Sequence, residues 1–290
     1  MTRFKWHELP DVVRESVQRH LGPATVVRHV EQGQNCNLAL VLRNEKRDVF
    51  LKGVRGVSPQ MRWLRNEVGA GDLAPGVAPA TCFSEDVTAD NLWFVAGFEY
   101  LNGRPADLSP ESDDLSVVRS VLAKLNSLSG GSAQPLTIRW SKTDWWQKFA
   151  MEAPERADGL DIDELTAACR HTPELVGGDA LLHTDLHEHQ FMIDGDSVRV
   201  IDWGRPASGA PWVDTAFMIV RLIAAGFEPR EAEVWGASVP RWSTGTEHAV
   251  TAFACYVAGL WAYRAVTTPF PGATRLSDAA TAYAHFRLAQ

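Results

Sequence analysis

The most constraining stretch of the chain is residues 181–204, where two short apolar segments flank a polar loop rich in histidine and aspartate. The apolar segments predict two strands, and an Asp-Gly dipeptide then gives a tight-turn signal before a further β-branched segment. Residues 190–202 are therefore expected to form a hairpin that ends at Asp202. Two carboxylates, that of Asp185 in the preceding loop and that of Asp202 at the end of the hairpin, would thereby lie on neighbouring strand ends.

Three side chains of this stretch have the chemistry of a metal-assisted reaction. Hard divalent cations take oxygen ligands, so the Asp202 carboxylate and the Gln190 amide oxygen could hold such a cation. Asp185, which would not coordinate the metal, could then accept a hydroxyl proton. This division of labour suits phosphoryl transfer, in which positioning and charge neutralisation supply most of the catalysis.

The spacing of these residues resembles a motif of a known family. His183-x-Asp185-x-x-x-x-Gln190, followed by Asp202-Trp203-Gly204, resembles the catalytic loop and metal-binding motif of the aminoglycoside phosphotransferase family. Members of that family are small-molecule kinases with a protein-kinase-like fold. The family usually has Asn where this chain has Gln190, and Gln keeps the coordinating carbonyl but adds one methylene. The resemblance implies that Asp185 is the catalytic base and that Gln190 and Asp202 hold Mg2+.

Other residues match the nucleotide-binding positions of this family in their order along the chain. Lys52 ends a predicted strand and Glu67 lies on the helical stretch that follows, where the family has a phosphate-binding lysine and the glutamate that steadies it. Gly33 lies in a turn that the resemblance identifies as the nucleotide flap, with a simple hairpin turn as the alternative. Main-chain groups from Glu99 to Leu101 would meet the base of ATP or GTP at the hinge.

Hydrophobic periodicity predicts an α+β chain. An amphipathic helix at 9–21 and five strands precede residue 100, and mainly helical patterns follow it. Interpreted as a protein-kinase-like two-lobe fold, residues 1–100 form an N-terminal nucleotide-binding lobe with an antiparallel five-stranded sheet. Residues 101–290 then form a mainly helical C-terminal lobe for catalysis and substrate binding.

Charge, cysteine content and hydropathy exclude several classes of protein. The 290-residue chain has a formal net charge of -8, which argues against a nucleic-acid binder because such proteins meet phosphates with basic surfaces. Its four cysteines lack paired spacing, so neither a disulfide framework nor a zinc ribbon is predicted. The longest apolar run is too short to span a bilayer and the N-terminus does not resemble a signal peptide, so a cytoplasmic protein is expected.

Two alternatives to an active kinase remain open at this point. His183, Asp185, His187 and His189 alternate, so on a regular strand they would face one side and could hold zinc in a metal-dependent hydrolase. Alternatively, the longer side chain of Gln190 would give a pseudokinase-like protein that binds a nucleotide without transferring phosphate.

The acceptor is expected to be a small hydroxylated molecule, such as an aminoglycoside or another hydroxylated natural product. Acidic residues between 152 and 164 would suit substrate amines, although a solvated helix face is the simpler interpretation. The segment after Trp235 has more arginines than acids, which weighs against a polycationic substrate. The sequence thus predicts a kinase of hydroxylated small molecules without naming the acceptor.

Overall fold

A computed structural model describes residues 2–30, 35–195 and 197–290. The chain forms two compact units, of which the first comprises Met1–Pro105 and Gln190–Arg205 and the second comprises Ala106–His189 and Pro206–Gln290. The predicted metal-binding residues Gln190 and Asp202 therefore belong to the same unit as Lys52. Asp185 belongs to the second unit.

The first unit is built on an antiparallel five-stranded sheet. Its helices and strands are α1 (Asp11–Leu21), β1 (Thr25–His29), β2 (Leu38–Arg43), β3 (Asp48–Arg55), α2 (Pro59–Leu73), β4 (Thr81–Thr88), β5 (Leu92–Glu99), β6 (Arg104–Pro105), β9 (Phe191–Asp194) and β10 (Ser197–Val200). The strand order of the large sheet is β1-β2-β3-β5-β4, with antiparallel neighbours throughout. Strands β6, β9 and β10 form a separate sheet, in which β9 and β10 are the predicted hairpin.

The two faces of the five-stranded sheet have different partners. Successive side chains of a strand point to opposite faces, and in β3 Val49 and Leu51 join a cluster that includes apolar residues of α1. Phe50 points the other way, into a cluster that includes residues of α2. Lys52 follows the alternation of Phe50, so its side chain lies on the face that α2 covers.

The second unit is mainly helical. Its elements are α3 (Asp114–Leu125), β7 (Gln134–Pro135), α4 (Leu136–Arg139), α5 (Trp145–Glu152), α6 (Pro154–Ala157), α7 (Ile162–Ala168), α8 (Thr172–Leu175), β8 (Ala180–Leu182), β11 (Ala207–Gly209), α9 (Val213–Ala225), α10 (Pro229–Ala237), α11 (Glu247–Thr267) and α12 (Ala273–Leu288). Strands β7, β11 and β8 form a small sheet. The predicted α+β class, with an antiparallel five-stranded sheet and a helical C-terminal part, is confirmed.

Helix α11 is the central element of the second unit. It packs against α12, α5 and α9. By length and apolar composition it could cross a membrane, but 72% of its apolar window is buried inside the structure, as in a core helix. Trp146 of α5 donates from Nε1 to the carbonyl of Cys255 at 2.8 Å. Gly259 leaves room for this indole, because a Cβ there would lie 2.8 Å from the ring.

Local sequence signals set several helix boundaries. Ser58 caps α2, since its hydroxyl accepts the Met61 N–H at 3.3 Å, and Pro59 occupies the first helical position. Thr246 caps α11 in the same way by accepting the Ala249 N–H at 3.1 Å. These caps fix where the helices that carry functional residues begin.

Candidate active site

Three charged residues predicted for nucleotide and metal binding come together in the first unit. Lys52 donates from Nζ to Glu67 Oε2 at 2.6 Å and to Asp202 Oδ1 at 2.5 Å. The side chains of Lys52 and Glu67 are only 12% and 15% exposed, whereas that of Asp202 is 45% exposed. Small residues on both neighbouring strands, Ala39 and Ala96, flank Lys52 in the sheet.

The charges of Lys52 and of the two carboxylates favour one another's ionised forms. Burial by itself would lower the pKa of Lys52, but the carboxylates of Asp202 and Glu67 outweigh burial and raise this pKa, so the amine stays protonated. Burial raises the pKa of Glu67, and the charge of Lys52 partly offsets that rise. A cationic Lys52 beside an exposed carboxylate suits a site for phosphate oxygens and a divalent cation.

Asp202 lies on a turn that α2 holds in place. Its φ of +63° is left-handed, a conformation that Asp tolerates better than most residues. The next residue, Trp203, is buried and donates from Nε1 to a backbone carbonyl of β10 at 2.7 Å. Asn66 of α2 donates from Nδ2 to the carbonyl of Gly204 at 2.9 Å. Because Asn66 precedes Glu67, one turn of α2 positions both carboxylates that meet Lys52.

Gln190 lies beside this turn, at the start of the hairpin. The Ile201 N–H donates to the Gln190 carbonyl at 2.9 Å, which joins the start of β9 to the end of β10. Gln190 is 5% exposed, and its side-chain Oε1 has no hydrogen-bond partner among the described residues. A buried carbonyl oxygen without a partner is costly unless a ligand satisfies it. This oxygen therefore fits the role of a Mg2+ ligand next to Asp202.

The predicted hinge borders a cavity of about 690 Å³ in the first unit. Glu99 and Val41 both line it. Along β2 and β3, the register puts Val41 on the same sheet face as Lys52. Within the described part of the chain, the backbone of Leu101 forms no hydrogen bond to other backbone groups, so it could meet a nucleotide base. Gly33, the predicted flap residue, lies outside the described residues.

In the second unit, Asp214 holds the predicted catalytic loop. The backbone N–H groups of His183 and Thr184 donate to Asp214 Oδ2 at 2.6 Å and Oδ1 at 2.9 Å. Asp214 is fully buried, and burial raises the pKa of its carboxyl, an effect that His183 and the two N–H groups partly offset. Thr184 has a φ of +66°, which is rare for a β-branched residue. Asp214 thus fixes an unusual turn immediately before Asp185.

Asp185 follows this turn and is accessible. Its N–H donates to Nδ1 of the buried His183 at 3.3 Å, and its side chain is 58% exposed. Arg139 also supports the loop by donating to the Thr184 hydroxyl at 2.7 Å. An exposed carboxylate on a fixed backbone can meet an acceptor hydroxyl and take its proton.

Arg221 of α9 lies next to Asp185 and was not predicted. Its Nη2 is 3.8 Å from Asp185 Oδ1, and its side chain is 16% exposed. The guanidinium carbon lies 5.1 Å from the ring centroid of Trp261 in α11, a cation–π arrangement. Burial lowers the pKa of Arg221, while Asp185 opposes that change. The signal that could have revealed this residue is an arginine in the otherwise apolar middle of α9.

The alternating histidines do not assemble as the zinc hypothesis requires. The positive φ of Thr184 interrupts the regular strand that would put them on one side. Across residues 2–30, 35–195 and 197–290, no three His, Cys, Asp or Glu side chains group closely enough to hold a metal ion. His183 instead supports the loop, because its Nδ1 accepts the Asp185 N–H. The hydrolase alternative therefore lacks a ligand group in the described residues.

His187 is expected to make the second unit less stable in acid. Burial first, and then the charge of Arg221, lower the pKa of His187 from its usual 6.5 to about 4. Between these values the unfolded chain binds a proton at His187 that the folded chain does not, so stability falls as the pH falls from 6.5 to about 4. The contribution should be roughly 2–3 kcal/mol.

Urea unfolding of the wild-type protein and of His187→Gln at pH 7, 6, 5 and 4.5 measures this contribution. The variant should lose less stability than the wild type over this range. His171→Gln is the matched control, because His171 is exposed in the same unit. Equal slopes for the wild type and His187→Gln would contradict the assignment.

Comparisons with known proteins identify the family and the fold of the chain. The model of the APH phosphotransferase enzyme family matches residues 25–247. A thermostable mutant of aminoglycoside phosphotransferase APH(4)-Ia, in a ternary complex with AMP-PNP and hygromycin B, shares 13% identity over 94% of this chain and 98% of its own, with a TM-score of 0.60. None of the curated sequences compared with the chain matches it.

Two further solved structures have the same fold. Choline kinase LicA from Streptococcus pneumoniae shares 13% identity over 94% of this chain and 98% of its own, with a TM-score of 0.57. The microcompartment-associated aminopropanol kinase shares 16% identity over 95% and 96% of the two chains, with a TM-score of 0.57. The predicted kinase-like fold is therefore confirmed. Because the family model covers most of the chain, the protein belongs to the APH phosphotransferase family and is a small-molecule phosphotransferase that acts on hydroxyl groups.

Proposed function

We propose that the protein is a magnesium-dependent kinase that transfers the γ-phosphoryl group of ATP or GTP to a hydroxyl of a small molecule in the cytoplasm. The observation that carries this proposal is the cluster in which Lys52 joins the carboxylates of Glu67 and Asp202. These three residues come from a strand, a helix and a distant turn. Kinases use a strand lysine paired with a helix glutamate, together with an aspartate that holds the metal ion, and this cluster brings residues of these three kinds together.

The first unit would hold the nucleotide. Lys52 stays cationic between its two carboxylates, so it would bind phosphate oxygens and neutralise charge on the leaving side. Asp202 and Gln190 would hold Mg2+, which when bound neutralises charge on the β- and γ-phosphate oxygens. The main chain from Glu99 to Leu101 would meet the base in the adjoining cavity, and Gly33 would lie in the flap that covers the phosphates.

The second unit would supply the catalytic base. Asp185 would orient the acceptor hydroxyl and take its proton as the hydroxyl oxygen bonds to the γ-phosphorus and the nucleoside diphosphate leaves. His183 and Asp214 would hold the loop so that Asp185 keeps its orientation. The exposure of Asp185, together with the fixed backbone on its N-terminal side, supports this role.

The acceptor is a small hydroxylated molecule, with an antibiotic as one candidate. A protein of similar fold was solved with hygromycin B, and two others are named as kinases of choline and of aminopropanol. These relatives support a kinase of small alcohols at the level of the fold. The choice among acceptors depends on residues around Asp185.

A thermal-shift titration with ATP and GTP, each with and without Mg2+, tests the proposal. A ligand that binds only the folded state raises its apparent stability, so at least one nucleotide should give a magnesium-dependent shift. Lys52→Met should abolish most of this shift while the variant remains folded. A shift of the same size with and without Mg2+ would favour a pseudokinase-like protein. The absence of a shift with both nucleotides would contradict nucleotide binding.

Gln190→Asn is expected to preserve or increase activity. Asn presents the same carbonyl with one methylene less and is the residue that the resembled family usually has. Gln190→Leu removes the oxygen and should weaken magnesium-dependent binding of ATP by ~10–100-fold or more. Calorimetric titration of ATP at several Mg2+ concentrations, together with turnover, measures both effects.

Gln18→Leu is the matched control for this pair of variants, because Gln18 is exposed on α1 of the same unit. It should leave ATP binding unchanged. Complete loss of activity in Gln190→Asn would show that the longer side chain has a task other than metal binding.

A further inference from the structure

We propose that Arg221 binds an anionic group of the acceptor, so that the acceptor is a hydroxylated acid with a carboxylate or phosphate beside its reacting hydroxyl. This inference rests on the proposed role of Asp185 as the base. It names the substrate class of that site, and it separates the protein from kinases of polycationic antibiotics.

The guanidinium of Arg221 is held in place but forms no hydrogen bond with any residue that the structure describes. Its distance of 3.8 Å to Asp185 Oδ1 is too long for a hydrogen bond, so the two groups form only an ion pair. Its Nε is buried without a partner among the described residues. The ring of Trp261 supports the guanidinium plane. An arginine offers up to five N–H donors, and here the residue is held in place with donors still available.

Two carboxylates and one histidine face Arg221. Asp185 and Glu188 are the carboxylates whose charges reach it, and their side chains are 58% and 39% exposed. Water therefore screens both carboxylates, and neither hydrogen-bonds to the guanidinium. His187 is neutral at pH 7 because burial and Arg221 hold its pKa at about 4. Arg139, the other cation at this loop, donates to the Thr184 hydroxyl, and the cation that pairs with the catalytic base is Arg221.

The charge next to Arg221 would change during the reaction. When Asp185 takes the proton of the acceptor hydroxyl, its carboxylate becomes neutral and Arg221 loses its nearest negative partner. An anionic group on the acceptor would replace that partner and would interact more strongly with Arg221 in the transition state than before it. An ammonium group at the same position would be repelled at the same moment.

The acidic run that could bind substrate amines does not oppose this inference. Its carboxylates are exposed on and between α5 and α7, as expected for a solvated surface; they are Glu152, Glu155, Asp158, Asp161, Asp163 and Glu164. Exposed carboxylates of this kind are screened by water, so each contributes little binding energy to a partner. Arg221, which pairs with Asp185 at 3.8 Å, is therefore the charged group to which the acceptor preference is assigned.

A series of acceptors with one carbon skeleton tests the inference. Glycerate, glycerol 3-phosphate, glycerol and 3-amino-1,2-propanediol each offer a free hydroxyl and differ in the group beside it. The release of nucleoside diphosphate is measured for the wild-type protein with each acceptor, Mg2+ and the nucleotide that binds. At least one of the two acids should exceed glycerol by ~10-fold or more in kcat/KM, and the amine should fall below glycerol.

The two acids distinguish a carboxylate acceptor from a phosphate acceptor. If the nucleotide binds but neither acid gives more product than glycerol, the inference is overturned. It is equally overturned if the amine is the best substrate. If no nucleotide binds, the proposed function itself has failed, so the two failures are distinguishable.

Variants at Arg221 assign the preference to this residue. Arg221→Gln should lose most of the acid-over-glycerol ratio, through a lower kcat as well as a higher KM for the acid, and Arg221→Lys should keep part of it because it retains the charge. Arg230→Gln removes an exposed arginine from α10 and should leave the ratio unchanged. Thermal melting identifies a variant that does not fold, in which case the Lys variant carries the comparison. An unchanged ratio in a folded Arg221→Gln protein would overturn the assignment.

Discussion

Replacing Asp185 by Asn should lower turnover by about 10²- to 10⁴-fold while nucleotide binding persists. Asn keeps the size of the side chain and can still donate or accept a hydrogen bond, but it cannot take the proton of the acceptor hydroxyl. The residues proposed to hold the nucleotide, among them Lys52 and Asp202, belong to the first unit and are unchanged. The loss should therefore appear in kcat, with a nearly constant dissociation constant for the nucleotide.

Turnover of the Asp185→Asn variant is measured by release of the nucleoside diphosphate, and nucleotide affinity by calorimetry. Asp179→Asn is the matched control, because Asp179 is an exposed carboxylate on the segment that leads into the same loop. The control should keep wild-type turnover. Turnover that is unchanged in Asp185→Asn would remove Asp185 from the mechanism, and weak nucleotide binding would show a wider role than that of a base.

Much of the fold could be predicted because its signals are local. The alternation of Val49, Phe50 and Leu51 sets the two faces of the large sheet, and apolar spacing with a Ser-Pro start sets α2. The pairing of Lys52 with Glu67 follows from a strand and the helix after it, only 15 residues apart in the chain. The contact of Lys52 with Asp202 spans 150 positions, and the motif resemblance assigned these residues to the phosphates and the metal without predicting that contact.

Other features depend on packing that no local pattern encodes. Residues 190–205 join the first unit partly through β6, a strand of two residues that is too short to show any periodicity. Strand β11 is also too short to show periodicity, and the sequence there indicates only a turn. Arg221 reaches Asp185 because α9 carries it beside Trp261, a residue 40 positions later in another helix. An arginine in an apolar helix is a visible signal, but its partners become known only in three dimensions.

The Lys52 cluster sets the conditions under which magnesium and nucleotide would bind. Asp202 is held by Lys52 in this structure, so the phosphates and the cation must compete with that contact. Glu67 keeps a second contact with Lys52, which would hold the amine in place when Asp202 turns to the metal. A lysine that is shared by two carboxylates can release one of them without becoming a lone buried charge.

Asp202→Asn should therefore abolish the magnesium dependence of nucleotide binding and weaken that binding by ~100-fold or more. This loss of affinity is larger than the loss typical for outer-shell partners of a metal. Asn tolerates the left-handed conformation at this position and can still accept the Lys52 hydrogen bond, so the turn should persist. Because Asp202 is 45% exposed, the free energy of unfolding should change by only about 1 kcal/mol. Titration of a fluorescent nucleotide over a range of Mg2+ concentrations measures the effect.

Asp194→Asn is the matched control, since Asp194 is exposed in the same hairpin. Binding that keeps its full magnesium response in Asp202→Asn would count against a metal role for Asp202 and would leave Gln190 without its proposed partner.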